Sequence, residues 1–247
     1  MSDHFAQSDL KLKRANKHIA DVNTIIRSLP DAYVVTIERD DKARQQSLKY
    51  NLPNAENIAL EIALVTGDAI HNLRTALDYA WVGTIGRLVP SALDSRTKFP
   101  VYPTRNDLEG ALKGRKIDVA SPALFKWIVS DTMPYAGGNG SLCSLHELDI
   151  ADKHTLLIPL MHITGVVGIV MENEKSGEVV KGNALAVTGP GPHFIPFEWE
   201  WRIKEKGKPS VDVLFGNGPD FYGLAVSDML SIFSTLTFSL LQSMKYL

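Results

Sequence analysis

Apolar residues recur along this chain with two periods, and the change from one to the other divides it. Leu12, Ala15, Ile19, Val22 and Ile26 return at helical spacing, which predicts an amphipathic helix over residues 8–28. Ser8 stands where a cap is needed, and Pro30-Asp31 where the helix should end, because proline has no amide donor. Residues 33–38 are β-branched and aromatic, Asp40-Asp41 is a turn, and residues 43–50 return as a hairpin partner. Arg44, Gln45, Gln46 and Lys49 suit a water-exposed edge there. A long helix follows over residues 54–82, started at Pro53-Asn54. Its first half, residues 58–65, is apolar nearly all round, which predicts burial on most sides with Glu61 among apolar neighbours. Gly67 costs about 1 kcal/mol in a helix interior, so close packing or a kink is expected at that point.

Gly83, Gly86 and Pro90 close this helix and open an irregular section reaching residue 141. Within it, residues 99–103 (Phe-Pro-Val-Tyr-Pro) read as an extended segment laid over the core. Residues 120–128 form a short helix begun at Ser121-Pro122. Ser141 caps the next helix, residues 142–153. From Thr155 the period becomes two: strands are predicted over 156–160, 164–171, 178–187, 197–203 and 211–215. Residues 173–177 are a turn and Gly189-Pro190-Gly191-Pro192 punctuates. Residues 222–245 make a final amphipathic helix. The pattern predicts one α+β domain spanning residues 1–247. Residues 8–160 are its mostly helical part, and residues 155–247 are β-rich with the terminal helix.

Charge and composition remove several classes of function. With 247 residues and a net charge of -2, the chain has no whole-chain electrostatic signal for nucleic acid or an anionic membrane. One cysteine, Cys143, excludes an intrachain disulfide and a cysteine-based zinc site, and suits a reducing compartment. Neither a secretion signal nor an apolar run of membrane-spanning length is visible, so a cytoplasmic protein is expected. No cofactor and no oligomeric state is specified by the pattern.

Two stretches carry chemistry. In the second half of the long helix, Asp68, His71, Asn72, Thr75 and Asp78 fall on one side, with Arg74 at the margin. Ile62, Ala69, Leu73, Leu77 and Ala80 fall on the other. Lys and Glu, the usual solvated residues, are missing from the polar side, and short directional groups replace them. Asp68, three residues before His71, can orient its ring. In the second stretch His146, Asp149 and Lys153 share a stripe at spacings of three and four. Asp152 falls among leucines, where a carboxylate needs a partner; Arg74 and Lys153 are the candidates. His154 projects from the far side at the helix end.

Together these suggest a pocket shared by two helices. A metal held by His and Asp from both helices is one reading, although no helix carries a His-x-x-x-His pair. The reading adopted is metal-free. His71 and His146 act as acid-base residues, oriented by Asp68 and Asp149 respectively. Asn72, Arg74, Asp78, Asp152, Lys153 and His154 surround a small-molecule or nucleotide ligand, with Arg74 and Lys153 holding its anion. The expected activity is metal-independent hydrolysis of a phosphate-bearing small molecule or nucleotide. The alternative is a ligand-binding or interaction protein in which the same residues form a structural network.

The stretch Gly67-Asp68-Ala69-Ile70-His71-Asn72-Leu73-Arg74-Thr75-Ala76-Leu77-Asp78-Tyr79 resembles a motif of a family of uncharacterised bacterial and phage-borne proteins, Gly-Asp-x-x-His-Asn-Leu-Arg-Ser-Ala-Leu-Asp-His. The stretch from Leu145 to His154 resembles that family's second motif, Leu-His-x-Leu-Asp-x-x-Asp-Lys-His. The likeness covers roughly residues 10–160 and implies that the two motifs belong together. The family pattern also resembles the HEPN ribonucleases, whose helix carries an arginine, four residues and a histidine. That resemblance implies a nucleolytic role for Arg74, but Tyr79 stands at the histidine position.

Overall fold

Two long helices, α1 (His4–Ala32) and α2 (Ala55–Leu88), lie against each other and are joined by a third, α7 (Val226–Tyr246). The computed structural model describes residues 4–185, 193–216 and 221–247. It is 55% helical and 24% strand, with two antiparallel sheets, an α+β fold as the pattern predicts. The helical layer holds the larger core, which includes Ala15, Val22, Ile70, Leu73, Leu77, Phe99, Leu145, Phe233 and Leu241.

Where α1 crosses α2 the fit is close. Ser8 is fully buried, and its hydroxyl donates to the carbonyl of Ala76 at 2.7 Å. It is therefore a crossing residue and not a cap, and α1 begins before it at His4. The helix also continues past Pro30, which sits in the last turn, where a missing donor removes only a terminal bond. Gly83 and Gly86 do not end α2. A Cβ on Gly83 would lie 3.1 Å from the side chain of His4 and 3.3 Å from that of Phe5, so helix contact selects the glycine. The first half of α2 is less covered than its composition predicts. Leu60 and Leu64 are exposed, and Glu61 stands in water without needing a partner.

The irregular section contains more helix than expected: α3 (Arg105–Gly114), α4 (Ile117–Ala120) and α5 (Pro122–Lys126), which runs into a π-helical turn at Trp127–Thr132. Thr104 caps α3, accepting from the amide of Asp107. Helix α6 (Gly140–His154) follows, capped by Asn139 and not by Ser141.

Strands β1 (Val34–Asp40), β2 (Gln45–Asn51) and β5 (His193–Phe197) form one sheet in the order β1-β2-β5. β4 (Val179–Leu185), β3 (Pro159–Asn173) and β6 (Trp201–Phe215) form the other, with β3 central. β2, expected as a wet edge, is a central strand whose Gln46, Leu48 and Tyr50 are buried. The amide of Gln46 donates to the carbonyls of Glu198 and Trp201, and the Tyr50 hydroxyl to that of Lys206, so the polar atoms are satisfied inside. Leu48, Tyr50, Ile163, Val166, Ile169 and Ile203 make a second, smaller core.

The expected breaks near residues 161–163 and 204–210 are absent. β3 absorbs its irregularities as register shifts. In β6, Gly207 takes a positive φ of 70° where a Cβ would meet Val166 Cγ1 at 2.7 Å. Residues 186–187 of one predicted strand and the Gly-Pro run at 189–192 lie outside the described residues. Among the described residues no helix is long and apolar enough to cross a membrane.

Candidate functional site

The two motif stretches meet, because α2 and α6 pack antiparallel. His71 faces Asp149, Arg74 faces His146, and Gly67 faces Asp152. Three contacts are thus spaced along one helix pair, and each has a different character.

The first is a charged pair at the edge. His71 Nδ1 stands 3.0 Å from Asp149 Oδ1, and Lys153 Nζ stands 2.5 Å from Oδ2. The Asp149 side chain is 5% exposed whereas His71 and Lys153 are half in water, so a buried carboxylate is neutralised from the surface. A carboxylate accepts only. The ring must therefore carry its proton on Nδ1, which leaves a lone pair on Nε2 in the neutral form. Thr75 Oγ1 lies 3.4 Å from that Nε2. The orienter of His71 is thus Asp149 on the facing helix. Asp68 is exposed, and it is its backbone carbonyl, 2.7 Å from Asn72 Nδ2, that enters the network. Asn72 is buried against α1, where Lys11 Nζ donates to its Oδ1 at 3.2 Å.

The second contact is built on Arg74, which is only 4% exposed and so sits inside, not at the margin. Each part of its guanidinium has a partner: Nε donates to His146 Nδ1 at 3.3 Å, one terminal nitrogen to Asp78 Oδ1, and the other to the carbonyl of Phe99 at 2.8 Å. Asp78 Oδ1 also accepts the amide of Phe99 at 2.8 Å. Arg74 and Asp78, one turn apart, thereby hold both polar groups of one buried residue in the extended segment. Arg74 thus spends one N–H of each of its three nitrogens on the protein itself, from a side chain that is 4% exposed.

The third contact is steric. The carboxylate of Asp152 lies over Gly67, so close that an added Cβ would come within 2.4 Å of Oδ1. Asp152 is half-buried. Loss of water, then Asp149 and Asp68 nearby, push its carboxyl above the usual carboxylate range, against smaller opposing effects of His71 and Lys153. Arg74 and Lys153 both spend themselves on other carboxylates. His154 is exposed in the last turn of α6. No cluster of three or more His, Cys, Asp or Glu side chains among the described residues could hold a metal ion.

A cavity of about 260 Å³ opens beside the Arg74–His146 contact. Of the residues singled out in the two motifs only His146 lines it. The apolar wall comes from Trp81, Ile85, Phe99, Val101 and Leu112, with Trp81 and Phe99 packed edge to face at 5.7 Å. The polar wall is Arg96, Lys98, Arg115, Tyr102 and His146, and no carboxylate among the described residues lines it. Arg115 is held by the carbonyl of Ala92, Thr97 and Asp94, and Arg96 stands 3.6 Å from Asp94. Lys98 is exposed and has no ion-pair partner among the described residues. Burial, then the charges of Arg74 and Lys98, lower the His146 pKa, with Asp149 and Asp78 opposing. Sequence patterning misses these cations because they lie in the section without periodicity. The available signal was Arg96-x-Lys98 directly before Phe99-Pro100.

Compared with protein-family models, with curated proteins and with solved structures, the chain matches none.

Proposed function

We propose that this protein binds a small organic anion in the cavity beside His146. The observation that carries this is the lining: three cations and an imidazole with no carboxylate among them, set against an aromatic and aliphatic wall. Ligand sites combine an apolar body with a few converging polar groups in this way. Size narrows the class. A volume of about 260 Å³ lies just below the usual span of ligand pockets, roughly 300 to 1,000 Å³. It suits a carboxylate or phosphate ester with one ring or a short apolar chain better than a whole nucleotide. Lys98 supplies the uncommitted charge, Arg96 a second at the mouth, and Trp81 and Tyr102 the flat surfaces. Isothermal titration with benzoate and phenyl phosphate tests this: binding that weakens at least tenfold in Lys98→Ala is expected, and no binding of either probe or of longer-chain acids would overturn it.

A second reading, metal-independent hydrolysis, is favoured by the line Asp149–His71–Thr75. Its carboxylate, imidazole and hydroxyl are ordered as in a proton relay, with His71 Nε2 free to accept a proton from water or from the Thr75 hydroxyl. In this reading His71 is the base and Asp149 its orienter, on an open surface beside the cavity. Chromogenic carboxyl and phosphate esters turned over by the wild type and not by His71→Ala would support it.

A further inference from the structure

His71 and His146 are held in opposite ways. The one faces a carboxylate, which accepts a hydrogen bond from Nδ1; the other faces a guanidinium, which donates one to Nδ1. Arg74 cannot release its proton in water or protein, and Nε points at His146 from a side chain fixed by Asp78 and Phe99. The Nδ1 atom of His146 must therefore be an acceptor, so the ring proton sits on Nε2. No hydrogen bond to Nε2 is made among the described residues, and the ring borders the cavity.

We infer that Arg74 locks His146 as a neutral Nε2–H donor, and that His146 is thereby the residue by which the cavity selects ligands with an acceptor-only, ionised group over neutral isosteres. The inference rests on the cavity being the ligand site. It reverses the acid-base role for this histidine: with Nδ1 occupied and Nε2 protonated, it has no lone pair to offer a substrate. Arg74 is a positioning residue that acts through His146. The other polar groups around the cavity agree with the donor character of the wall. Lys98 and Arg96 donate only, and Tyr102 can donate. A carboxylate or phosphate ester can accept from the donors of the polar wall with each of its oxygens, whereas a carboxamide has one acceptor oxygen and sets its NH2 against the remaining donors.

Protonation of His146 would need the Arg74 contact broken and a cation added beside Arg74 and Lys98, with only Asp78 from α2 and Asp149 from α6 to offset it. Arg96 and Arg115 on the same cavity wall are each paired with Asp94. Binding of an ionised acid should therefore hold to lower pH than a histidine with an ordinary pKa near 6.5 would allow.

The test uses the full chain. Long-range proton–nitrogen NMR on nitrogen-15-labelled protein, with His146 assigned by its loss in His146→Gln, reads the tautomer before any ligand is added. The Nε2–H form, giving way only below the ordinary histidine range, is expected; an Nδ1–H form, or ordinary titration, would overturn the inference. Titration with benzoate and benzamide then reads selection. Benzoate should bind more tightly by tenfold or more, His146→Leu should erase most of that ratio, and His146→Gln, which keeps an amide donor, should restore part of it. A wild-type ratio near one, or a ratio unmoved in His146→Leu, also overturns it. Failure of benzoate, phenyl phosphate and longer acids to bind, with the Nε2–H tautomer present, overturns the cavity as ligand site and leaves the lock standing.

Discussion

His71 reaches across to Asp149 on the facing helix, although Asp68 lies only three residues away on its own. The choice follows from solvent. Asp68 is hydrated, whereas Asp149 is 5% exposed and, out of water, gains from a hydrogen-bonding partner. Removing the buried member should therefore cost more than removing either exposed one. Asp149→Ala is expected to lose about 1.5–3 kcal/mol, the usual range for hydrogen bonds to a charged group. His71→Ala should lose less than about 1 kcal/mol, since Lys153 still neutralises Asp149. Urea unfolding of both variants checks the order.

Arg74 is the costliest single position of the two motifs. A lysine in its place has one nitrogen for three partners that lie in different directions, so Arg74→Lys should destabilise nearly as much as Arg74→Met. About 3 kcal/mol or more is expected for each, the scale for breaking a buried charged contact. A stable Arg74→Lys protein would refute the three-way role.

Gly67 and Asp152 should show strong coupling. Alanine at position 67 gains about 1 kcal/mol of helix propensity, but its Cβ would collide with the Asp152 carboxylate. Gly67→Ala is expected to destabilise the wild type by about 1–3 kcal/mol through overpacking. In an Asp152→Ala background the same change should be neutral or stabilising. Equal effects in both backgrounds would mean that the carboxylate does not sit on the glycine.

Asp152 and His146, both on α6, give stability opposite slopes with pH. Asp152 has its folded pKa raised, so the folded state is favoured when it is protonated. That contribution is complete below its unfolded value near 3.8 and is lost as pH rises through the higher folded value. Asp152→Asn should therefore be more stable than the wild type at neutral pH. His146 has its folded pKa lowered, so the unfolded chain takes up a proton first. Its contribution is complete above about 6.5 and is lost as pH falls from there through the lower folded value. His146→Gln should flatten the stability profile on the acid side of 6.5. Thermal melting between pH 4 and 8 reads both.

The sequence carried the elements better than the directions of its polar groups. Period alone separates the helical part from the sheets and places α2, α6 and α7, because a buried helical stripe or strand face leaves its spacing in the residue order. The hairpin partner β2 was misplaced because Gln46 reads as a wet residue, yet its amide meets two backbone carbonyls from residues 152 and 155 positions away. Helical geometry brings Asp68, His71 and Asn72 to one side, but it does not say that Asn72 turns to α1 and His71 to α6. The cavity was least legible. It depends on Phe99 being fixed to α2 from 21 and 25 residues away, and nothing local in Arg96 or Lys98 announces that contact.

The seating of α7 bears on how the chain is made. Arg87, at the end of α2, donates to the carbonyl of Met244, 157 residues later. With synthesis at roughly 5–20 residues per second, α1 and α2 leave the ribosome about 10–30 s before the helix that covers them. During that interval the core shared by α1 and α2 lacks the buried side chains of α7, among them Phe233 and Leu241, and the intervening strands must find their own partners first. A nascent chain halted before residue 226 should accordingly be retained by chaperones that bind apolar surface.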